Sequence, residues 1–276
     1  MLIFLIHNFL SEGLCIFFIE NEGVYIMKKN VIVTGSSRGL GAAIVKTLAQ
    51  HGHNVVINYH KSEHAAQKLV DEIGTRQAIA VQADVTKRNE IDRLVDEATQ
   101  YFGQIDVVIN NALVGFKFDP VEQKAFADLT WEDYQQQIDG TLKAAFNICQ
   151  SAIPQFIQRQ KGKIISIGTN LFQNPVVPYH EYTTAKAGLI GFSRNLAAEL
   201  GQYGITSNVV SGGLLKTTDA SATTSTEVFD LIAQTTPLKN VTSPQDVANM
   251  VAYLVSDQSD GITGQNFTVD GGLTMN

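Results

Sequence analysis

The chain has 276 residues, 44% of them hydrophobic, with a formal charge of -7 at pH 7 and a pI near 5.3. This length suits one large α/β domain, and no Pro- or Ser-rich linker divides it. The acidic balance argues against nucleic acid as a partner, because a nucleic-acid binder needs a basic face to neutralise phosphates. The only cysteines, Cys15 and Cys149, stand far apart with no metal-ligand spacing around them, so no metal is expected and a reducing, cytoplasmic setting fits.

The first segment, Met1 to Ile19, is rich in Leu, Ile and Phe, yet it has no Lys or Arg, and His7, Asn8, Ser11 and Glu12 interrupt it. It is too broken for a membrane span, and it lacks the basic start and cleavage site of a signal peptide. The expectation is that residues 1–26 are an upstream extension or disordered segment, with translation starting at Met27 and one domain filling residues 27–276. Glu22-Gly23-Val24 can be encoded by a purine-rich ribosome-binding sequence, and Met27-Lys28-Lys29-Asn30 leads at once into a strand.

Asn30 to Thr34 is short, apolar and rich in β-branched residues, and Gly35-Ser36-Ser37-Arg38-Gly39-Leu40-Gly41 follows directly. Ala42, Ile44, Val45, Leu48 and Ala49 then recur at helical spacing. Strand, Gly-rich turn and helix together predict a phosphate site, because bare backbone lets a diphosphate approach the amides at the positive helix end. His53 to Tyr59 is a second strand. A fold of this kind that prefers NAD usually ends this strand with a carboxylate for the ribose 2′-hydroxyl. Asn58, Tyr59 and His60 supply none, whereas Arg38, His60 and Lys61 could meet a 2′-phosphate, so NADP(H) is expected over NAD.

Ala78 to Val85 is a third strand, whose Asp84 could reach an adenine amino group or cap the helix through Ile91, Leu94 and Ala98. Gly103 to Ala112 is the fourth, and Val114 to Thr130 a loop. Trp131 opens a long helix toward Ser151, with Cys149 on its apolar face. Lys163 to Thr169 is the fifth strand. Tyr182 and Lys186 open the next helix, four residues apart on one face, where the ammonium would favour phenolate over a phenol of ordinary pKa about 10. Thr206 to Val210, a helix after Pro244 and Gln265 to Val269 complete the alternation. It predicts a doubly wound (Rossmann) parallel sheet of about seven strands with helices on both faces.

Thr34-Gly35-Ser36-Ser37-Arg38-Gly39-Leu40-Gly41, Asp84-Val85, Asn110-Asn111-Ala112, Tyr182 with Lys186, and Asp270-Gly271-Gly272 occur in the order found in the short-chain dehydrogenase/reductase family. The chain resembles that family over Met27 to Asn276, and most of all its 3-oxoacyl-acyl-carrier-protein reductase branch. The resemblance implies an NADP(H)-dependent oxidoreductase acting on a carbonyl or its alcohol. Gly35, Ser37, Arg38, Gly39, Leu40, Gly41, Asp84, Val85, Asn111 and Ala112 would hold the cofactor. Tyr182 would move the proton, Lys186 would hold the nicotinamide ribose, and Thr217 would contact the carboxamide. It also implies a homotetramer or homodimer built on the helices around Trp131 to Ser151 and Tyr182 to Leu200.

The chain departs from the family pattern near the reacting centre. Thr169 stands where the family has its catalytic Ser, and Thr141 where it has an Asn that anchors a relay water. Leu113 replaces a Gly after Asn-Asn-Ala, and Gly212-Gly213 replaces Pro-Gly. These changes leave a second reading open, a nucleotide-binding sensor or scaffold that has lost turnover. Phe116, Phe118, Phe126, Phe172 and Val176 are expected at the pocket mouth and suggest an apolar or acyl substrate, with His180 beside them. Leu214 to Thr236 resembles a mobile lid.

Overall fold

The computed structural model of the protein describes residues 27–119, 123–216, 218, 221–222 and 224–275. Residues 1–26, with Cys15, and Thr217 therefore lie outside the described residues.

Seven parallel strands form one sheet in the order β3-β2-β1-β4-β5-β6-β7. They are β1 (Asn30–Val33), β2 (Asn54–Tyr59), β3 (Ala78–Gln82), β4 (Val107–Asn110), β5 (Gly162–Thr169), β6 (Ile205–Gly212) and β7 (Asn266–Val269). Alternation along each strand divides the core in two. Val31 and Val33 face α1 (Gly39–Gln50) and α2 (Glu63–Ile73), whereas Ile32 points to the opposite cluster, with α3 (Arg88–Phe102). Burial on both faces explains the continuous β-branched runs read as strands.

After β4 the chain forms α4 (Trp131–Ile138), one π turn over Asp139–Lys143, and α5 (Ala144–Arg159). The single long helix expected from Trp131 to Ser151 is thus interrupted, and it also runs further, past Pro154. Thr130 and Asp133 start it with a reciprocal capping box. Cys149 is buried in the core as expected, and its thiol is pushed up to about 12 by burial, so it is no nucleophile. After β5 comes α6 (His180–Leu200), which carries Tyr182 and Lys186. The segment expected to resemble a lid, Leu214 to Thr236, contains α7 (Thr226–Thr235), and α8 (Pro244–Val255) precedes β7. No helix among the described residues is long and apolar enough to cross a membrane.

Buried polar groups hold the end of the sheet remote from the Gly-rich turn. Lys29 Nζ donates to the Val255 carbonyl at 2.7 Å and pairs with Asp257 at 2.8 Å. Its backbone N–H donates to Nδ1 of His53 at 3.2 Å. Burial, and then the Lys29 charge, hold the His53 imidazole down at about 4. Between the ordinary histidine value and about 4 the unfolded chain takes up a proton that the folded chain refuses. Stability is therefore complete above about pH 6.5 and falls as the pH drops toward 4, by up to roughly 3 kcal/mol. His53→Gln is expected to flatten this stretch of a plot of urea midpoint against pH.

Candidate active site

The strand order reverses between β1 and β4, where a crevice opens at the carboxyl ends of the strands. It forms a cleft of about 640 Å³ that runs from Gly35 and Arg38, past His60 and Asp84, to Tyr182 and Lys186. That size falls within the range of ligand sites.

The Gly-rich turn is held from three sides. Gly35 sits at φ 60°, and an added Cβ there would lie 2.8 Å from Ala112 Cα. Asn111 donates its side-chain amide to the carbonyls of Thr34 at 2.9 Å and Gly35 at 3.0 Å. Buried Asn58 accepts from the Gly35 N–H at 2.9 Å and donates to the Ala83 carbonyl at 3.1 Å. The sequence reading valued Asn58 only for the carboxylate it lacks, and it missed this clamp between turn and third strand. A polar residue inside an otherwise apolar strand was the available signal. Asn111, expected to hold cofactor, spends its amide on the turn itself.

Ser37, Arg38, Gly39, Leu40 and Gly41 all line the cleft, with Gly39 and Leu40 opening α1. Their amides sit at the positive end of that helix, and the bare backbone there fits the pyrophosphate of a dinucleotide. Arg38, His60 and Lys61 line the same end. Asp84 does not cap α3, whose N-cap Lys87 has no side-chain cap bond; its Oδ1 instead accepts from the Thr86 N–H at 3.0 Å and hydroxyl at 2.7 Å in the turn before that helix. Burial works against its ionisation, but the Thr86 hydrogen bonds, with His60 and Lys87, hold its carboxyl below the usual range. Val85 and Ala112 line the cleft beside it.

At the other end the phenol of Tyr182 lies beside the Thr169 side chain, which favours its ionised form. Tyr182 is 5% exposed and Lys186 4%. The expected ammonium-stabilised phenolate is not what this geometry gives. Lys186 Nζ donates to the Ile167 carbonyl at 2.7 Å and lies 6.0 Å from the Tyr182 ring centre. Burial dominates both groups: it pushes the phenol up to about 12, against the influence of Thr169, and pulls the ammonium down to about 8. Tyr182 is held as a proton-bearing phenol.

Thr141 lies on the π turn and is buried. With Thr34, Asn110 and Lys186 it lines a cavity of about 10 Å³, the space of one water molecule. Thr141 Oγ1 and Asn110 Oδ1 are buried with no hydrogen-bond partner in the protein. Asn170, next to Thr169, donates to Asp270 Oδ2 at 3.0 Å. Asp270 in turn accepts from the Gly272 and Thr274 N–H groups at 3.0 and 2.9 Å. This link between the catalytic strand and the last residues of the chain escaped the sequence reading, which treated Asp270-Gly271-Gly272 only as a signature.

The aromatic expectations divide. Leu113, Phe116 and Phe118 line the cleft and pack with Tyr182, Tyr179 and Leu171. Phe126, Phe172 and Val176 are not part of the cleft wall. Phe126 is 67% exposed with its ring 5.4 Å from that of His180, and Val176 is 56% exposed. Irregular segments carry Phe126 and Val176 outward, whereas Phe172 is half-buried on the short turn directly after β5. From the lid, Leu215 and Thr218 reach the cleft, and Thr218 hydrogen-bonds Ser221 at 2.7 Å. The expected carboxamide contact, Thr217, is outside the described residues.

A dinucleotide cleft that reaches Tyr182 and Lys186, with Thr169 beside the phenol though not on the cleft wall, defines a nicotinamide-dependent oxidoreductase class, and the chain belongs to the short-chain dehydrogenase/reductase family. A family model described as Enoyl-(Acyl carrier protein) reductase matches residues 35–274. The chain is 36% identical over 251 residues to the 3-oxoacyl-[acyl-carrier-protein] reductase FabG of Staphylococcus epidermidis, covering 90% of this chain and 100% of that protein. It is also 36% identical over 252 residues to 3beta-hydroxysteroid dehydrogenase 1 of Eggerthella lenta, covering 90% and 94%. Among solved structures, a putative gluconate dehydrogenase from Agrobacterium tumefaciens superposes with a TM-score of 0.81 at 33% identity, over 90% of this chain and 97% of that one.

Proposed function

We propose that the protein is a cytoplasmic NADP(H)-dependent reductase of carbonyl compounds, with 3-oxoacyl thioesters as first substrate class and another ketone or secondary alcohol as the alternative. The observation that carries this reading is a dinucleotide cleft that runs from the Gly-rich turn to Tyr182 and Lys186, with the Thr169 side chain beside the Tyr182 phenol. Two hydroxyl donors side by side suit an oxygen that gains negative charge, which favours a carbonyl over the carbon–carbon double bond of an enoyl group.

When bound, the nicotinamide cofactor supplies the hydride. Thr169 donates to the substrate oxygen and orients it, while Tyr182 delivers its proton to that oxygen. Lys186 lies within reach of the ribose end of the cleft, and a water on Thr141 would connect it with bulk solvent. Arg38, His60 and Lys61 line the cleft end where they would meet a 2′-phosphate, and the nearby carboxylate of Asp84 is turned to Thr86. Exposed Trp131 on α4 and Phe146 on α5 fit a face between subunits of a homotetramer or homodimer.

The test is oxidation of NADPH and of NADH against a panel of 3-oxoacyl thioesters, simple ketones and sugars. The expected result is turnover of a thioester or ketone with NADPH at least tenfold preferred in kcat/KM. Tight NADPH binding with no turnover across the whole panel would establish instead the sensor or scaffold suggested by Thr141, Leu113 and Gly212.

A further inference from the structure

The face of the Tyr182 ring is covered. Phe116 lies on it nearly parallel, with ring centres 4.3 Å apart and planes 12° apart. Phe118 meets the same ring edge-on at 5.3 Å. Phe116 is itself met edge-on by Phe118 at 5.0 Å and by Tyr179 at 5.2 Å. The ring of Phe116 thus fills a slot one ring thick, and Tyr182 is left 5% exposed. Phe116 and Tyr182 both line the cleft that would receive substrate. Phe116 follows Gly115, which sits at φ 67° in the irregular loop between β4 and α4, so the ring hangs from a backbone position suited to turning.

We propose that Phe116 is a substrate-displaced plug that sets specificity: a carbonyl compound reaches Tyr182 by moving the Phe116 ring aside and placing its own apolar group against Tyr182, Phe118 and Tyr179. This rests on the reading of Tyr182 as proton donor. A methylene chain or flat ring recovers the lost contacts. A hydroxylated substituent loses water and meets mainly aromatic ring surface in return, the Tyr182 hydroxyl being taken by the substrate oxygen. The plug therefore selects carbonyls flanked by an apolar group and rejects sugars.

Phe116→Ala and Phe116→Leu test this with two readouts. The first is nitration of the enzyme without substrate by tetranitromethane, located by peptide mass, with exposed Tyr101 as internal standard. Tyr182 is expected to be protected in the wild type, to react about tenfold faster in Phe116→Ala, and to regain most of its protection in Phe116→Leu. The second is KM. Removing the plug is expected to lower KM by a common factor, about two- to tenfold as fits one aromatic stack, for short and long apolar carbonyls alike. NADPH affinity is expected to stay unchanged. In the wild type, apolar ketones are expected to exceed hydroxylated ketones of equal carbon number at least tenfold in kcat/KM.

Nitration of Tyr182 at the same rate in all three proteins would overturn the plug. So would a KM gain that grows with substrate size, the mark of a fixed wall, or equal turnover of hydroxylated ketones. If no carbonyl is turned over by wild type or variants, the proton-donor reading fails and the selection with it, while nitration still decides whether Phe116 covers Tyr182.

Discussion

Tyr182→Phe is expected to lower kcat by about a thousandfold, within the range of a lost general acid, while the dissociation constant for NADPH changes less than about threefold. The ring survives the substitution, so the stack with Phe116 and the packing with Tyr179 and Leu171 survive with it. Only the hydroxyl beside Thr169 is lost. Single-turnover absorbance for the hydride step and fluorescence titration for cofactor affinity separate the two effects. Turnover within tenfold of wild type would remove Tyr182 from the proton path.

Gly41→Ala is expected to weaken NADPH binding at least about a hundredfold and to destabilise the fold by roughly 2 kcal/mol, the usual scale for forcing bulk into a packed site. An added Cβ would stand 2.6 Å from Asn111 Nδ2 and from the Gly35 carbonyl, and 2.7 Å from Ser36 Cα. It would therefore push Asn111 off the two carbonyls that shape the turn. The cause is space, since this glycine is not among those at positive φ. Gly52→Ala supplies the contrast. Gly52 sits at φ 85° with nothing within 4 Å of an added Cβ, so the substitution strains the backbone by about 1–2 kcal/mol and leaves NADPH affinity intact. Equal losses of cofactor affinity in both variants would mean that the turn responds to global stability rather than to Asn111.

Much of this architecture was legible because it rests on short-range rules. Apolar strands of β-branched residues alternating with helical periodicity force a parallel sheet covered on both faces, and the Gly-rich turn between β1 and α1 locates its ligand cleft. The separation of Thr169 and Tyr182 was read correctly because both stand at element ends, one closing β5 and the other opening α6. The π turn was not legible: Asp139-Gly140-Thr141-Leu142-Lys143 has no residue that forbids an ordinary helix, and only packing selects the wider turn. The phenol was misjudged for a similar reason. Spacing puts Lys186 on the same helix face, but it cannot say that the ammonium turns to Ile167 or that Phe116 dries the ring. Asn58 and Asn170 show the same limit, since each joins segments distant in sequence through a single amide.

The chain from Thr169 through Asn170 and Asp270 to Thr274 has a practical meaning for any experiment on the protein. The segment at Thr274 is a guy-line staked beside the hydroxyl that would orient substrate. A substitution that disturbs Thr274 would reach Asp270 and, through one amide, the closing residue of β5.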